Sequence, residues 1–217
     1  MPVYLSRVEI DTANRRKIRD LNHLGAYHSW VEESFPEEIV KGERSRKLWR
    51  IDHLHGRDYL LLVSPDKPDL NRLEKYGVEG SAATKPYDTY LDQLSNNMRA
   101  RFKVTLNPVV SLSQPGDKRG RVVPHVTVEA QRQFLKDKSK KNGFEVEDDD
   151  FYVTERSFER LKKSGKKDLK LSKATFEGVL KIIDADTFKE TLSQGFGKKK
   201  AYGFGLMTVI PVEWLNG

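Results

Sequence analysis

The sequence contains no cysteine, and this absence excludes disulfide bonds and thiolate metal sites. It has no apolar run that approaches the ~20 residues of a membrane-spanning helix. The N-terminal segment Met1–Arg7 lacks the long apolar core of a signal peptide. The lack of cysteine is compatible with an intracellular location, and we therefore expect a soluble cytoplasmic protein without a membrane partner.

Common catalytic and cofactor-binding motifs are also missing. The histidines show no H-E-x-x-H or comparable ligand spacing: they are His23, His28, His53, His55 and His125. The acidic run Asp148–Asp150 is more typical of a solvated edge or turn than of a metal site. No serine lies in a G-x-S-x-G context, and there is no G-x-x-x-x-G-K-[ST] loop. We expect neither a metal nor a cofactor, a nucleotide cofactor included.

Basic residues are abundant, with 39 Lys and Arg against 32 Asp and Glu and a net charge of +7. This balance favours a polyanionic partner, although net charge does not specify a fold. Apolar residues make up 37% of the 217 positions. That content and length suit one large or two small domains.

The hydrophobic pattern predicts two successive β-α-β-β-α-β units, which is the ferredoxin-like arrangement. The first unit is expected to have strands Val3–Ile10, Leu48–Leu54, Tyr59–Ser64 and Asn97–Leu106, with helices Arg15–Leu21, Tyr27–Phe35 and Asp69–Tyr76. The second is expected to have strands Val122–Val128, Glu155–Lys163, Asp168–Ile183 and Phe204–Pro211, with helices Thr127–Asn142 and Ala185–Gln194. We therefore predict an α+β fold of two tandem ferredoxin-like (RRM-like) domains with antiparallel sheets, over residues 1–110 and 121–217.

A glycine-rich loop lies between the last predicted helix and the last predicted strand. Four glycines flank three consecutive lysines in this loop, which is Gly195–Gly205 with Lys198, Lys199 and Lys200. Glycine lets a ligand approach the backbone closely, exposed N–H groups attract anions, and lysines add charge. The loop is therefore a candidate phosphate site. The alternative is a glycine-rich connection with solvated lysines.

A second basic element is the predicted hairpin whose tip is Ser164–Lys167. Its candidate RNA-binding side chains are Arg160, Lys162, Lys163, Lys166 and Lys167, with Lys170 and Lys173 farther along. A two-stranded basic ribbon can enter the major groove of B-DNA. The major groove of regular A-form RNA is too deep and narrow for it, unless a bulge or a helix end opens the groove. The charge of the hairpin by itself is most simply explained by a solvent-facing surface. The lysine loop is a second basic element in the same half of the chain, and it favours binding of a nucleic acid.

His28 is the candidate catalytic residue if the partner is RNA. The 2′-OH of RNA can attack the adjacent phosphate, which yields a 2′,3′-cyclic phosphate and a 5′-hydroxyl. This reaction needs a base, an acid and positive charge, and a histidine serves as base or acid near neutral pH. The default alternative is a surface histidine or one satisfied in the core.

Several segments occur in an order that resembles the CasE family of CRISPR-associated RNA-processing endoribonucleases of type I-E systems. They are Tyr4–Ile10, Tyr27–Trp30 followed by Phe35-Pro36, Arg101–Pro108, Phe176–Leu180 and the glycine loop with Leu206–Val209. The resemblance implies tandem ferredoxin-like domains and metal-independent cleavage of the CRISPR transcript at the 3′ base of each repeat hairpin. It also implies that the guide RNA stays bound and that the enzyme joins other Cascade subunits.

The resemblance assigns roles to individual residues. The family's catalytic histidine corresponds to His28, and its basic hairpin to Arg160–Lys167. Some relatives carry a tyrosine three residues before the histidine, where this chain has Gly25. A lysine or His23 is then a candidate for the role of that tyrosine. The three lysines differ from the smaller residues common in the family's loop.

Two other classes of function remain open from the residues themselves. One is a non-catalytic RNA-hairpin-binding subunit that uses the same surfaces. The other is a two-domain structural or small-ligand protein whose lysines are merely solvated. The first binds hairpins without cutting them, and the second shows no salt-dependent affinity for RNA.

Overall fold

The computed structural model describes residues 2–112, 120–163 and 166–215, except for the side chains of Lys163, Lys166 and Lys167. Its described part contains two large antiparallel sheets and one separate two-stranded hairpin. Each large sheet has helices packed against it. The predicted α+β class with tandem ferredoxin-like units is confirmed.

The first sheet has the strand order β2-β3-β1-β4, which is that of a ferredoxin-like unit. Its strands are β1 (Tyr4–Glu9), β2 (Leu48–Leu54), β3 (Arg57–Ser64) and β4 (Ala83–Pro86), and its helices are α1 (Arg15–Ile18), α2 (Leu24–Glu33), α3 (Pro36–Lys41) and α4 (Leu70–Leu73). In the centre of the sheet, Arg7 of β1 lies opposite Leu61 of β3 and Ala83 of β4.

The longest helix of this unit, α2, is held against the sheet by its buried face. Trp30 and Val31 are fully buried and pack in one cluster with Val8 and Leu60 of the sheet. The indole N–H of Trp30 donates to the carbonyl of Leu73 at 3.0 Å, so its one polar group is satisfied. This packing fixes which side chains of α2 face outward.

The second large sheet has the order β11-β5-β10-β8, and β9 also pairs with β10. After α5 (Asp88–Leu91), the strands are β5 (Arg99–Leu106), β6 (Val109–Leu112), β7 (Arg121–Pro124), β8 (Phe144–Glu145), β9 (Phe151–Lys163), β10 (Lys166–Ile182) and β11 (Met207–Pro211). The helices are α6 (Val128–Ser139) and α7 (Ala185–Gln194). Phe134, Leu135, Phe188 and Leu192 of these helices pack in the large core cluster over this sheet.

The strand predicted at Asn97–Leu106 belongs to the second sheet, and its assignment to the first domain was wrong. Arg101 of β5 lies opposite Val179 of β10 and Ile210 of β11. The period-two pattern correctly identified a half-buried strand, but alternation carries no information about which sheet the strand joins. The second sheet therefore begins at Arg99, ahead of the predicted boundary near residues 109–121.

Two further strand predictions needed correction. The fourth strand of the first unit is β4, which is short, mostly exposed and ends in Pro86, so its pattern is weak. The strand predicted at Val122–Val128 is not part of the second sheet. Residues Arg121–Pro124 instead pair with β6 in the separate hairpin, which is inserted between β5 and α6.

Other predictions for the second unit are confirmed. Helix α6 begins after Thr127, whose hydroxyl accepts from the N–H of Ala130 at 3.1 Å, and a short 3₁₀ turn follows it. Gly143 ends this segment at φ 78°, a left-handed conformation that favours glycine. Strands β9 and β10 form the expected hairpin. Ser164 and Gly165 of its predicted tip lie outside the described residues.

Two strand residues of β2 join the units. Arg50 is only 2% exposed and donates to the carbonyls of Lys103 at 2.7 Å and Leu206 at 3.0 Å. Its guanidinium also pairs with Asp52 at 2.7 and 2.8 Å. The indole N–H of Trp49 donates to the carbonyl of Ala201 at 2.9 Å. The first unit therefore directly holds the glycine loop of the second.

Across the described parts of the chain, no helix has the length and apolar character needed to cross a membrane.

Candidate active site

His28 lies in α2 and points from the first unit towards the glycine loop. The helix begins after His23, whose ring nitrogen Nδ1 accepts from the N–H of Ala26 at 3.3 Å. Gly25 therefore lies inside the helix, which starts three residues earlier than the sequence predicted. Because Trp30 and Val31 are buried, His28 occupies the partly exposed side of α2, and its side chain is 25% exposed.

The His28 ring is surrounded by groups from both units. The ring of Tyr202 in the glycine loop stands at a steep angle to it, with 5.2 Å between centroids. The Glu32 carboxylate lies on the same face of α2, with Oε1 at 3.9 Å from Nδ1 of His28. A residue of the first unit and the loop of the second thus form one site.

Burial is the main influence on the pKa of His28 and lowers it, while the nearby Glu32 carboxylate raises it. Arg44 and Lys47 lower the pKa of His28 further, and the carbonyl of Ala201 raises it. The net direction is downward. A larger fraction of His28 is therefore neutral near pH 7 than in an exposed histidine, which suits a group that gives and takes protons.

An open depression of about 500 Å³ lies beside His28. Its walls include Glu32, Glu38 and Glu43 together with Arg44, so carboxylates outnumber the arginine in its lining. This depression leaves room beside the ring for a substrate group.

Two glycines of the loop, Gly203 and Gly205, are required by their backbone conformation and by packing. A Cβ added at Gly203, whose φ is 83°, would lie 2.7 Å from the Trp49 ring. One added at Gly205, whose φ is 88°, would lie 2.5 Å from the carbonyl oxygen of Phe196. The N–H of Gly205 donates to the carbonyl of Thr105 at 2.8 Å. The glycine pattern therefore has a structural cause, and the case for a phosphate site depends on the lysines.

The three lysines of the loop differ in their surroundings. Lys198 and Lys199 are exposed, and Lys199 adopts φ 65°, which is unusual for a residue with a Cβ. The ammonium of Lys200 donates to the carbonyl of Gly195 at 3.1 Å. Burial, and then the charge of Arg46, lowers the pKa of Lys200. The loop thus presents two lysines to solvent and turns the third towards its own backbone.

The basic hairpin is packed beside the same site. Leu161 and Leu171 near its end form a buried cluster with Phe204 of the glycine loop, against which Leu24 and Tyr202 pack. This cluster joins the hairpin, α2 and the glycine loop. The structure therefore brings together three elements that are distant in sequence.

The predicted hairpin residues have different partners. Arg160 is 60% exposed and pairs with Asp168 at 2.6 Å, and Lys162 donates to Asn22 at 3.3 Å. The other predicted hairpin lysines are Lys163, Lys166 and Lys167, whose side chains lie outside the described residues. The described end of the hairpin therefore contacts the segment just before α2.

The surroundings of Gly25 are crowded by His23. A Cβ at this position would lie 2.9 Å from the His23 ring and 3.5 Å from the carbonyl oxygen of Lys162. Burial lowers the pKa of His23, as do the charges of Lys162 and Arg160.

Tyr202, which contacts His28, was not predicted as a site residue, because nothing in the neighbouring sequence distinguishes it from a packed loop residue.

The comparisons with known proteins cover nearly the whole chain. A family model described as "CRISPR associated protein" matches residues 3–211. The CRISPR-associated endoribonuclease Cse3 of Thermus thermophilus is 26% identical over an alignment of 220 residues that covers 96% of this chain and 100% of that protein. The structure of Thermus thermophilus Cse3 bound to an RNA representing a pre-cleavage complex is 25% identical, with a TM-score of 0.82 and coverage of 97% and 100%.

A chain of a CRISPR RNA-guided surveillance complex, in a pre-nicking state, is 17% identical with a TM-score of 0.63. The match covers 96% of this chain and 100% of that one. At this identity the likeness concerns the fold.

Proposed function

Because this chain belongs to the family of CRISPR-associated proteins, we propose that it is an endoribonuclease of the CasE type that processes precursor CRISPR RNA. It cleaves at the 3′ base of the repeat hairpin. The observation that carries this function is the match to the endoribonuclease Cse3 over the full length of that protein. The junction of His28, the glycine loop and the basic hairpin supplies groups suited to the chemistry.

The proposed reaction is an attack by the 2′-OH of the RNA on the neighbouring phosphate. The O2′–P bond forms and the P–O5′ bond breaks, which leaves a 2′,3′-cyclic phosphate and a 5′-hydroxyl. His28 acts either as the base that takes the 2′ proton or as the acid that protonates O5′. Because the nucleophile belongs to the RNA itself, side chains can supply the remaining needs, and we propose that cleavage is independent of metal ions.

The second proton-transfer group is proposed to come from the start of α2 or from the hairpin strand β9. His23 and Lys162 lie near Gly25, the position at which some relatives carry a tyrosine. Either of them can exchange a proton with the oxygen that His28 does not serve.

Two exposed surfaces are proposed to bind the RNA backbone. Lys198 and Lys199 are exposed in the glycine loop, whose Tyr202 contacts His28. The RNA-binding residues proposed for the hairpin are Arg160, Lys162, Lys163, Lys166 and Lys167, which were predicted from the sequence. Phosphate contacts of this kind give strong, salt-dependent affinity.

After cleavage, the protein is proposed to keep its guide RNA and to remain a subunit of the Cascade complex in the cytoplasm. The similar chain in a CRISPR RNA-guided surveillance complex supports this placement.

A second candidate function is a non-catalytic RNA-hairpin-binding subunit. The observation that favours it is Gly25, because a glycine cannot replace the tyrosine that some relatives carry at this position. Such a subunit would retain the hairpin and release no product.

One experiment separates these functions. Purified protein is incubated with a cognate repeat hairpin in chelator, and the RNA ends are analysed. We expect a 2′,3′-cyclic phosphate and a 5′-hydroxyl, and no cleavage of a hairpin with a 2′-deoxy nucleotide at the scissile position. Binding without cleavage would support the non-catalytic subunit. A strict requirement for divalent metal, or cleavage of the 2′-deoxy hairpin, would overturn the mechanism.

A further inference from the structure

A chain of three ionised side chains leads from His28 into the protein. One oxygen of Glu32 faces Nδ1 of His28 at 3.9 Å, and the other lies 3.6 Å from the ammonium of Lys47. Lys47 in turn contacts Glu38 at 2.6 Å. The backbone N–H of Ser45 donates to Glu38 at 3.0 Å. The carboxylate beside His28 is therefore the end of a fixed series of contacts.

We propose that Glu32 is a positioning residue that orients the His28 ring and stabilises its protonated form during RNA cleavage. This inference rests on the proposed function and adds a specific role within that site. Glu32 lies four residues after His28 on the same helix, a spacing at which side chains are neighbours. Its two oxygens face the histidine at 3.9 Å and the lysine at 3.6 Å, so the carboxylate lies between two groups that attract its charge.

Lys47 is the reason that Glu32 keeps this position. Its side chain is 1% exposed and its ammonium lies 4.7 Å from the centre of the Phe35 ring. A buried ammonium is stable only while its counter-charges stay in place, so Lys47 restricts both Glu32 and Glu38. Lys47 therefore influences the position of His28 indirectly, because it limits the position of the Glu32 carboxylate.

The charged groups around His28 have opposite effects on the protonation of its ring. Arg44 and Lys47 oppose the protonation of the ring, as burial does, whereas Glu32 and the carbonyl of Ala201 favour it. Glu32 is thus the charged side chain that compensates for the nearby cations. Without its charge, the pKa of His28 falls further, and the ring becomes protonated only at lower pH.

Glu32→Gln is the appropriate test because it removes the charge and keeps the size. The buried Lys47 still contacts Glu38 in this variant, so its ammonium keeps a counter-charge. Glu33→Gln is the matched control. It removes the same charge from the next position of α2, but Glu33 pairs with Lys75 at 2.6 Å.

The first measurement is the titration of His28 in the free protein by NMR, with His28→Ala used to assign the resonance. We expect the titration midpoint of His28 to move to lower pH in Glu32→Gln and to stay unchanged in Glu33→Gln. Glu32→Asp, which retains the charge, should restore part of the difference. Equal midpoints in the two glutamine variants would overturn the proposal, whether or not the protein cleaves RNA.

The second measurement is the single-turnover cleavage rate at saturating repeat hairpin, as a function of pH. We expect Glu32→Gln to be about tenfold slower at pH 7, a part of the 10²–10⁴ that acid–base catalysis contributes. The pH profile should move in the same direction as the NMR midpoint, with RNA affinity within about twofold of the wild type. A profile identical to that of Glu33→Gln would overturn the role. If the wild type cleaves no hairpin, the proposed function fails, while the titration still decides on Glu32.

Discussion

The surroundings of His28 and the surfaces offered to RNA differ in charge and in exposure. His28 is 25% exposed and lies among glutamates that are held by a buried lysine. The basic surfaces instead present solvated side chains, such as Lys198 and Lys199 of the loop. A group that transfers protons needs a fixed orientation and a tuned pKa, whereas a group that neutralises phosphates needs only to be exposed and charged.

The same contrast separates the two ferredoxin-like units. The first contributes the proposed catalytic side chain, and the second contributes the loop and the hairpin. Contacts of Trp49 and Arg50 hold the units together, so catalysis depends on packing that lies outside the chemistry. Substitutions at the His28 site should therefore lower the cleavage rate, whereas substitutions in the basic surfaces should lower the affinity for RNA.

The largest effect is expected from His28→Ala. We expect the single-turnover cleavage rate to fall by at least about 10²-fold, because a general acid or base contributes that much or more. The affinity for the repeat hairpin should stay within about twofold, because the exposed lysines are intact. His53→Ala is the control, since that histidine is 70% exposed in the turn region of another hairpin. A large loss of affinity in His28→Ala would break the division between catalysis and binding.

Arg50→Met tests the contact between the units. We expect a loss of about 3–5 kcal/mol in the free energy of unfolding, because Asp52 and two carbonyls lose a buried partner. Chemical denaturation measures this loss. The double variant Arg50→Met with Asp52→Asn should recover part of it, because the buried carboxylate is neutralised. Equal stabilities of the single variant and the wild type would show that Arg50 does not hold the units together.

The paired change Lys198→Ala and Lys199→Ala tests the loop as an RNA-binding surface. We expect about tenfold weaker binding and a slope of log K against log salt that is smaller by about 2, one for each phosphate contact. The cleavage rate at saturating RNA should remain near that of the wild type. Lys140→Ala with Lys141→Ala is the matched control, because both lysines are exposed after α6. If both double variants weaken RNA binding equally, the loop contributes only to the net charge of the protein and is not a specific RNA-binding surface.

The smallest effect is expected from Lys199→Gly. The left-handed backbone at this position, with φ 65°, is unfavourable for lysine and ordinary for glycine. We expect a gain of about 0.5–1 kcal/mol in the free energy of unfolding, after the greater chain entropy of glycine is included. Lys198→Gly is the control, since Lys198 does not have a positive φ. If both variants are equally stable, the loop carries no backbone strain at Lys199.

Local sequence patterns predicted the elements well when the signal was local. Thr127 and Gly143 correctly bounded the segment that contains α6, because capping depends on residues within one turn. The alternation in Asn97–Leu106 correctly indicated a strand but led to the wrong sheet. Its partners, β10 and β11, lie far along the chain, and alternation does not encode a partner.

For the candidate site, the sequence by itself determined the residue types and the basic surfaces. His28, the lysine loop and the hairpin could all be named from motifs and from the resemblance to CasE. Only the tertiary structure decided that Tyr202 lies beside His28 and that Lys47 holds Glu32 against it. The reason is that these contacts depend on the docking of α2 against a loop of the other unit. This docking depends on packing and buried ion pairs between segments that are distant in sequence, and a local sequence pattern contains no information about such contacts.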